Sequence, residues 1–271
     1  MARLRFTILG CGASPGVPRI NGDWGECDPN EPKNYRTRAS ALIERFGDDD
    51  DVTRVLIDTG PDLRAQLIAA NVHELHAVIY THAHADHVHG IDDLRAFWMA
   101  THRQLPVYSD DDTQSRLEQG FGYCFAAPVG SPYPPFLTRT AIRAGHAFTI
   151  NGPGGRLTIE PFAQVHGDIQ SLGLRVGPVA YSCDFNDLPP DSIATLHGLD
   201  VWVLDALRRR PHPSHASLGE ALGWITRIAP QRAVLTHMTN ELDYQTLLRE
   251  LPPAVTPAFD GISFEFDLPP G

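Results

Sequence analysis

Apolar positions along the chain fall into short runs closed by glycine, proline or acidic residues, a rhythm that predicts alternating strands and helices. Leu4 to Leu9 alternates weakly and reads as a first strand. Gly10-Cys11-Gly12-Ala13-Ser14-Pro15-Gly16-Val17-Pro18 then opens a turn-rich loop that continues to about Arg36. A loop of that length inside a compact domain usually serves function, the alternative being a plain surface excursion. Residues 39–46 and 52–57 are β-prone around a charged turn at 48–51, so the pair reads as a hairpin. Asp58-Thr59-Gly60-Pro61 ends it, and residues 62–70 have helical composition, with Pro61 where a first helical turn tolerates proline.

Ala77-Val78-Ile79-Tyr80 is an apolar run expected as a buried strand. Residues 90–100 read as a helix with Ile91, Leu94, Phe97 and Trp98 on one face. The stretch 110–137 is the least legible. Asp110, Asp111 and Asp112 could open a helix, since acids complement the helix dipole, and 128–135 must be loop. Short strands separated by glycine and proline are expected across 142–176, and another strand across 179–182, ending at Cys183-Asp184. Helices are expected at 189–196, 217–228 and 243–251. Strands are expected at 201–204, ending at Asp205, at 233–236, ending at His237, and at 262–266. There is no repeat of fixed period and no low-complexity linker. The two halves nevertheless share a design, strands and then helix, with polar residues delivered at strand ends. A single domain over residues 1–271 suits the length.

Composition narrows the partners. Hydrophobic residues make up 42% and charged residues 20%, which supports a sizeable core. The formal net charge of −11 argues against an extended nucleic-acid footprint. A small phosphorylated substrate stays compatible with it, because bound divalent cations reverse the local sign. Cys11, Cys27, Cys124 and Cys183 are widely separated and read as reduced thiols rather than a disulfide scaffold. The apolar run after Arg5 is about five residues, short of the roughly 7–15 of a signal peptide, and no stretch approaches the ~20 that span a bilayer. A cytoplasmic chain with no membrane partner is the expectation.

The chemistry concentrates in His82-Ala83-His84-Ala85-Asp86-His87, directly after the strand at 77–80. Two residues apart in an extended segment, His82 and His84 point the same way. Asp86 and His87 follow where the chain must turn, and so face a neighbouring point. That arrangement suits two metal ions better than one, and the imidazole and carboxylate donors suit Zn, Mn or Fe. Three more apolar runs end in a metal-competent residue, at His166, Asp184 and His237. A lone histidine after a strand is more often structural. Seven donors with this joint placement are not.

These residues resemble the metallo-β-lactamase superfamily, whose HxHxDH motif is matched at 82–87, with the later His, Asp and His at His166, Asp184 and His237. The upstream Asp-x-Gly is matched by Asp58-Thr59-Gly60, and the resemblance covers about residues 3 to 267. It implies an α/β fold, a four-layer αββα sandwich with the metals at one edge between two sheets. It also implies two divalent metal ions, Zn or Mn. His82, His84 and His166 would hold the first and Asp86, His87 and His237 the second, with Asp184 bridging. A hydroxide shared between the ions would be the nucleophile. Asp58 and Asp205 would orient ligands, the alternative for each being a turn-capping role.

The glycine-rich opening at 10–18 resembles the phosphodiesterase branch, which includes tRNA 3′-processing endonucleases and a phosphoribosyl cyclic phosphodiesterase. Within that branch, Asp205-Ala206-Leu207-Arg208 followed by Pro213-Ser214-His215-Ala216-Ser217 resembles the cyclic phosphodiesterase, where a histidine before the helix acts on the phosphate. His215 matches it better than His212. The implied catalytic residues are Asp86 and His215. One departure stands out: the structural zinc of that family needs three closely spaced cysteines in the first loop, and here Cys27 is alone, so that zinc is expected to be absent. Arg36, Arg38 and Arg208 to Arg210 could meet a substrate phosphate or ribose, Arg208 first among them, and Asp168 could face a sugar hydroxyl. The expectation is a dinuclear hydrolase of a small, cyclic ribose or nucleotide phosphate ester, with a homodimer suggested by the relatives. The competing readings are a tRNA-processing nuclease, which would carry a basic arm not found here, a thioester or lactone hydrolase, and a non-catalytic binding protein.

Overall fold

The computed structural model describes residues 2–47 and 51–268. Of the charged turn read at 48–51, all but Asp51 lies outside the described residues. The strands, in chain order, are β1 (Arg3–Gly10), β2 (Ser40–Phe46), β3 (Val52–Ile57), β4 (Ala77–Ile79), β5 (Leu105–Ser109), β6 (Leu137–Ala141), β7 (Phe148–Ile150), β8 (Leu157–His166), β9 (Ile169–Val176), β10 (Val179–Ser182), β11 (Val201–Asp205), β12 (Arg232–Thr236), β13 (Val255–Pro257) and β14 (Ser263–Asp267). They form two seven-stranded sheets, ordered β14-β1-β2-β3-β4-β5-β6 and β13-β12-β11-β10-β9-β8-β7. The helices are α1 (Leu63–Ala69), α2 (Ala85–Val88), α3 (Arg95–Thr101), α4 (Asp111–Phe121), α5 (Pro190–Thr195), α6 (Leu218–Ile228) and α7 (Tyr244–Glu250).

Period-two alternation builds the layers. In the first sheet Ala41, Ile43, Val55, Ile57, Ala77 and Ile79 join the core shared with the second sheet. Their neighbours Leu42, Leu56, Val78 and Tyr80 face the other way, into a second cluster with Leu63 and Leu67 of α1 and Leu117 of α4. Each sheet also changes pairing at its fourth strand. β14 to β3 pair antiparallel and β3 to β6 parallel. β7 to β10 pair antiparallel and β10 to β13 parallel. The shared design of the two halves is therefore a shared strand topology.

The structure departs from the sequence reading in several elements. β5, β6 and β13 were not expected: β5 contains Pro106, β6 is largely exposed, and β13 is three residues long and ends in Pro257. The short strands expected across 142–176 are mostly one long hairpin, β8 and β9, paired from Glu160–Arg175 to His166–Ile169. Gly173 permits it, because a Cβ there would lie 2.1 Å from Phe162 Cε2. The helix expected at 90–100 is a 3-10 turn, Ile91–Leu94, followed by α3. Pro61 precedes the Asp62 cap and so lies outside α1.

The loop after β1 is tied to the second sheet. Gly12 bridges to Arg38 and to Met238, and Met238 N–H donates to Cys11 O (2.9 Å). Farther along, the guanidinium of Arg36, 1% exposed, donates to the carbonyls of Thr239 (3.1 Å) and Leu242 (2.7 Å). Asn34 Nδ2 donates to Asp243 Oδ2 (2.7 Å). This polar hub fastens the loop to the segment that follows His237. It removes Arg36 from the arginines that could meet substrate.

Candidate metal centre

The centre lies at the ends of the parallel strands, where the pairing in each sheet changes direction, as expected for ligand sites in α/β sheets. Asp58 follows β3 and Asp184 closely follows β10, the strands at the two switch points. Both take a left-handed backbone, with φ 60° and 53°, as does His237 after β12 with φ 55°. Such conformations cost roughly 1–3 kcal/mol for a non-glycine residue and concentrate at functional sites. His82 follows the β4 run, and His84 is the residue that caps α2, which carries Asp86 and His87. Gly60 lets this turn close, because a Cβ there would meet Asp86 O at 2.4 Å.

The seven donors converge as two groups around Asp184. Asp184 Oδ2 lies 3.6 Å from His82 Nε2 and 3.6 Å from His166 Nε2. His84 Nδ1 is 3.2 Å from His166 Nε2. Asp184 Oδ1 lies 3.3 Å from His87 Nε2 and 3.2 Å from His237 Nε2. Asp86 Oδ2 is 3.5 Å from the first of these and 3.4 Å from the second. Each oxygen of one carboxylate thus faces a different group.

The outward ring nitrogens are held from behind. His87 Nδ1 is 2.8 Å from Asp58 Oδ2. Thr81 Oγ1 donates to Asp58 Oδ2 (2.7 Å) and lies 3.1 Å from His82 Nδ1, so it can accept from that imidazole. Asp58 therefore orients one histidine directly and another through Thr81. His166 Nδ1 lies 2.6 Å from the carbonyl of Ser214. His82 Nε2 and His87 Nε2 are buried without a hydrogen-bond partner among the described residues. Imidazoles held at one nitrogen and unpartnered at the other are the arrangement metal-ligating histidines adopt. The donor set fits two divalent cations.

Charge divides the centre. Burial alone would raise Asp184 and Asp86, but the surrounding histidines hold both carboxyls well below the usual range. Burial would lower His87 and His237, yet the neighbouring carboxylates push the first well up and the second to about 9. His82 and His166 keep the direction burial gives them, downward, His166 to about 4. Without cations, protons are therefore held more firmly at His87 and His237 than at His82 and His166.

His215 stands over the centre. Its Nδ1 is 2.7 Å from Asp205 Oδ2, its Nε2 is 3.9 Å from Asp184 Oδ2, and its ring stacks on His237 at 4.9 Å between centroids. Asp205 Oδ1 lies 3.9 Å from His237 Nδ1, and both atoms lack a hydrogen-bond partner among the described residues. His212 is farther out, bonded through Nδ1 to Ser214 Oγ at 3.2 Å. Burial first, then the charges of His215 and Arg208, lower its pKa.

The arginines are engaged elsewhere. Arg208 donates to the carbonyls of Arg210 and Pro211, bracing its own loop. Arg38 pairs with Asp62, Arg209 with Glu250 and Arg210 with Glu241. Asp168 is exposed at the β8–β9 turn. Sequence reasoning missed the part of Thr81, whose role depends on a partner 23 residues upstream. It also missed Cys183, whose thiol lies beside Asp184 at 2.9 Å.

Two mixed sheets, flanking helices and paired histidine–carboxylate donors at the sheet edge define an α/β metallohydrolase sandwich. A family model described as a β-lactamase superfamily domain matches residues 53–238, and the chain belongs to that superfamily. It is 32% identical over 268 residues to an octanoyltransferase of Porphyromonas gingivalis (strain ATCC BAA-308 / W83), which covers 97% of this chain and 52% of that protein. The chain thus spans about half the length of that curated relative. A diphosphatase from the PhnP family superposes with a TM-score of 0.87 at 32% identity, over 98% of each chain. Zinc-bound PqqB from Methylobacterium extorquens does so at 0.74 and 20% identity, over 97% of this chain and 100% of that one. Human short-form tRNase Z gives 0.62 at 16% identity, over 96% and 98%. At the identities of the last two, the likeness is one of fold.

Proposed function

We propose that this chain is a two-metal hydrolase of a small phosphodiester, and specifically of a cyclic phosphate ester of a ribose or nucleotide. The observation that carries this reading is His215, held by Asp205 and directed over the two groups of donors. His82, His84 and His166 would hold one cation and Asp86, His87 and His237 the other, with Asp184 between them. Bound there, two divalent cations, zinc or manganese, supply Lewis-acid activation of water and neutralise charge developing on phosphorus.

The protein residues do the rest. Asp205 accepts from His215 Nδ1–H, which fixes the tautomer and supports the imidazolium form. His215 Nε2 then donates to a phosphoryl oxygen or protonates the departing ester oxygen. Asp58 and Thr81 hold the His87 and His82 rings in place. The similarity to a diphosphatase supports phosphorus chemistry. The net charge of −11 and the paired arginines favour a small substrate over extended nucleic acid.

One specific observation favours a second reading. Identity to half of an octanoyltransferase suggests an acyl substrate such as an octanoyl thioester. A panel of cyclic and linear phosphodiesters, diphosphates and octanoyl thioesters, assayed with zinc- and manganese-loaded protein, separates the two. The phosphodiesterase reading expects cyclic diesters to be hydrolysed fastest, with activity lost in the metal-stripped protein and in H82A. Turnover confined to thioesters, or full diesterase activity after chelation, would sink it.

A further inference from the structure

Cys183 joins the end of β10 to Asp184 and is fully buried. Its sulfur lies 2.9 Å from Asp184 Oδ1, the carboxylate oxygen that faces His87 and His237. Donor atoms of His87, Cys183, Asp184 and His237 all lie within 4.8 Å of one another. His87 Nε2, wholly buried and without a hydrogen-bond partner among the described residues, faces the same space. The group formed by His82, His84, His166 and Asp184 contains no sulfur. The two halves of the centre therefore differ in chemistry: one offers nitrogen and oxygen, the other nitrogen, oxygen and a thiol. Cys11, Cys27 and Cys124 are also buried, but they join no such group among the described residues.

We propose that Cys183 is a sulfur donor to the cation held by Asp86, His87 and His237, and that it gives this half of the centre a preference for zinc or cobalt over manganese. The inference rests on reading the cluster as a two-cation centre. On ligation the S–H bond breaks, its proton leaves to solvent water, and the freed lone pair forms the sulfur–metal bond. No electron is transferred and the cation stays divalent. The hydrogen bond from the thiol to Asp184 Oδ1 is lost, which frees that oxygen for the same cation. Soft sulfur donors select zinc among the common divalent ions, whereas carboxylate and water suit manganese. A divalent cation in contact with a buried thiol deprotonates it.

Cobalt reconstitution reads this directly. The wild-type protein is expected to take up two equivalents of Co(II) and to show sulfur-to-cobalt charge-transfer absorption in the near ultraviolet. The band should vanish in C183A and persist in C27A. X-ray absorption at the zinc edge of the wild-type protein needs no variant and should show sulfur at about 2.3 Å. Zinc affinity at this half should fall by at least about 10-fold in C183A, the low end of the loss seen when only an outer partner of a metal ligand is removed, and its selectivity over manganese should fall with it. Two bound equivalents with no band and no zinc–sulfur scattering would overturn the role of Cys183 and leave the two-cation reading standing. A band that survives in C183A would overturn it as well. Failure to bind a second equivalent would take down both.

Discussion

Asp58 acts on the centre through His87 and Thr81, and its burial makes that action sensitive to substitution. The carboxylate accepts from Thr81 N–H (2.8 Å) and from Thr81 Oγ1, and lies 2.8 Å from His87 Nδ1. Burial raises its pKa, while His87 and Thr81 pull the other way. In D58N the amide would fill the same space but lose the charge that favours an Nδ1–H on His87. Metal affinity should fall about 10–100-fold with little change in fold. A competition titration against a chelator measures this, and unchanged affinity would assign Asp58 to the turn alone. His215 gives a different signature, because in the proposed reaction it acts on the phosphate and holds no cation. H215A should keep two cations, measured by elemental analysis, while kcat drops about 10²–10⁴-fold, the usual contribution of a positioned acid or base.

At the scale of elements, the loop over residues 13–36 is held by polar anchors. Arg36 is buried against two carbonyls of the segment after His237, and Asn34 and Asp28 both donate to Asp243 Oδ2. R36M would keep the length of the side chain but leave the Thr239 and Leu242 carbonyls without a donor. It should cost about 1–3 kcal/mol, seen as a lower urea midpoint with unchanged slope. Asp243 adds a pH dependence. Partial burial would raise its pKa, but the hydrogen bonds from Asn34, Thr246 and Asp28 bring it to about 2. Its folded value lies below an unfolded value near ~3.9, so its contribution is complete above about pH 4 and is lost as pH falls toward 2. An acid unfolding series of wild type against D243N should show the two curves converging across that window.

None of this anchoring was legible in the sequence, because Arg36 and its acceptors lie some 200 positions apart and carbonyl acceptors carry no residue signature. The 82–87 cluster was legible because its spacing is local. The helices expected at 217–228 and 243–251 were legible from local pattern too, and the structure adds that Ser217 and Asp243 cap them, each bonding three residues ahead. β5, β6 and β13 hid behind proline and exposed edges, where the apolar alternation is weakest.

For the whole molecule, the common pairing order of the two sheets places equivalent residues at equivalent points, and Asp58 and Asp184 are such a pair. Each follows a fourth strand, each adopts a left-handed backbone, and each carboxylate meets His87. One is buried behind the histidine and the other faces the donors. His87 consequently meets three carboxylates, Asp58, Asp86 and Asp184, whereas His82 and His166 meet Asp184 alone among the described residues, which is why protons favour the His87 side. His237, at about 9, holds a proton at neutral pH in the cation-free protein, whereas His166, at about 4, does not. A cation must displace the first proton and not the second. Because His87 is pushed up as well, a cation on that side displaces two protons, so apparent affinity there should rise by up to roughly a hundredfold per pH unit from 7 toward 9, while the His166 side stays nearly level. Dialysis against limiting zinc across pH 6 to 9, followed by elemental analysis, should find two ions per chain at the alkaline end and one at the acid end. Simultaneous loss of both ions would mean that the shared Asp184, rather than the unequal charge around it, governs loading.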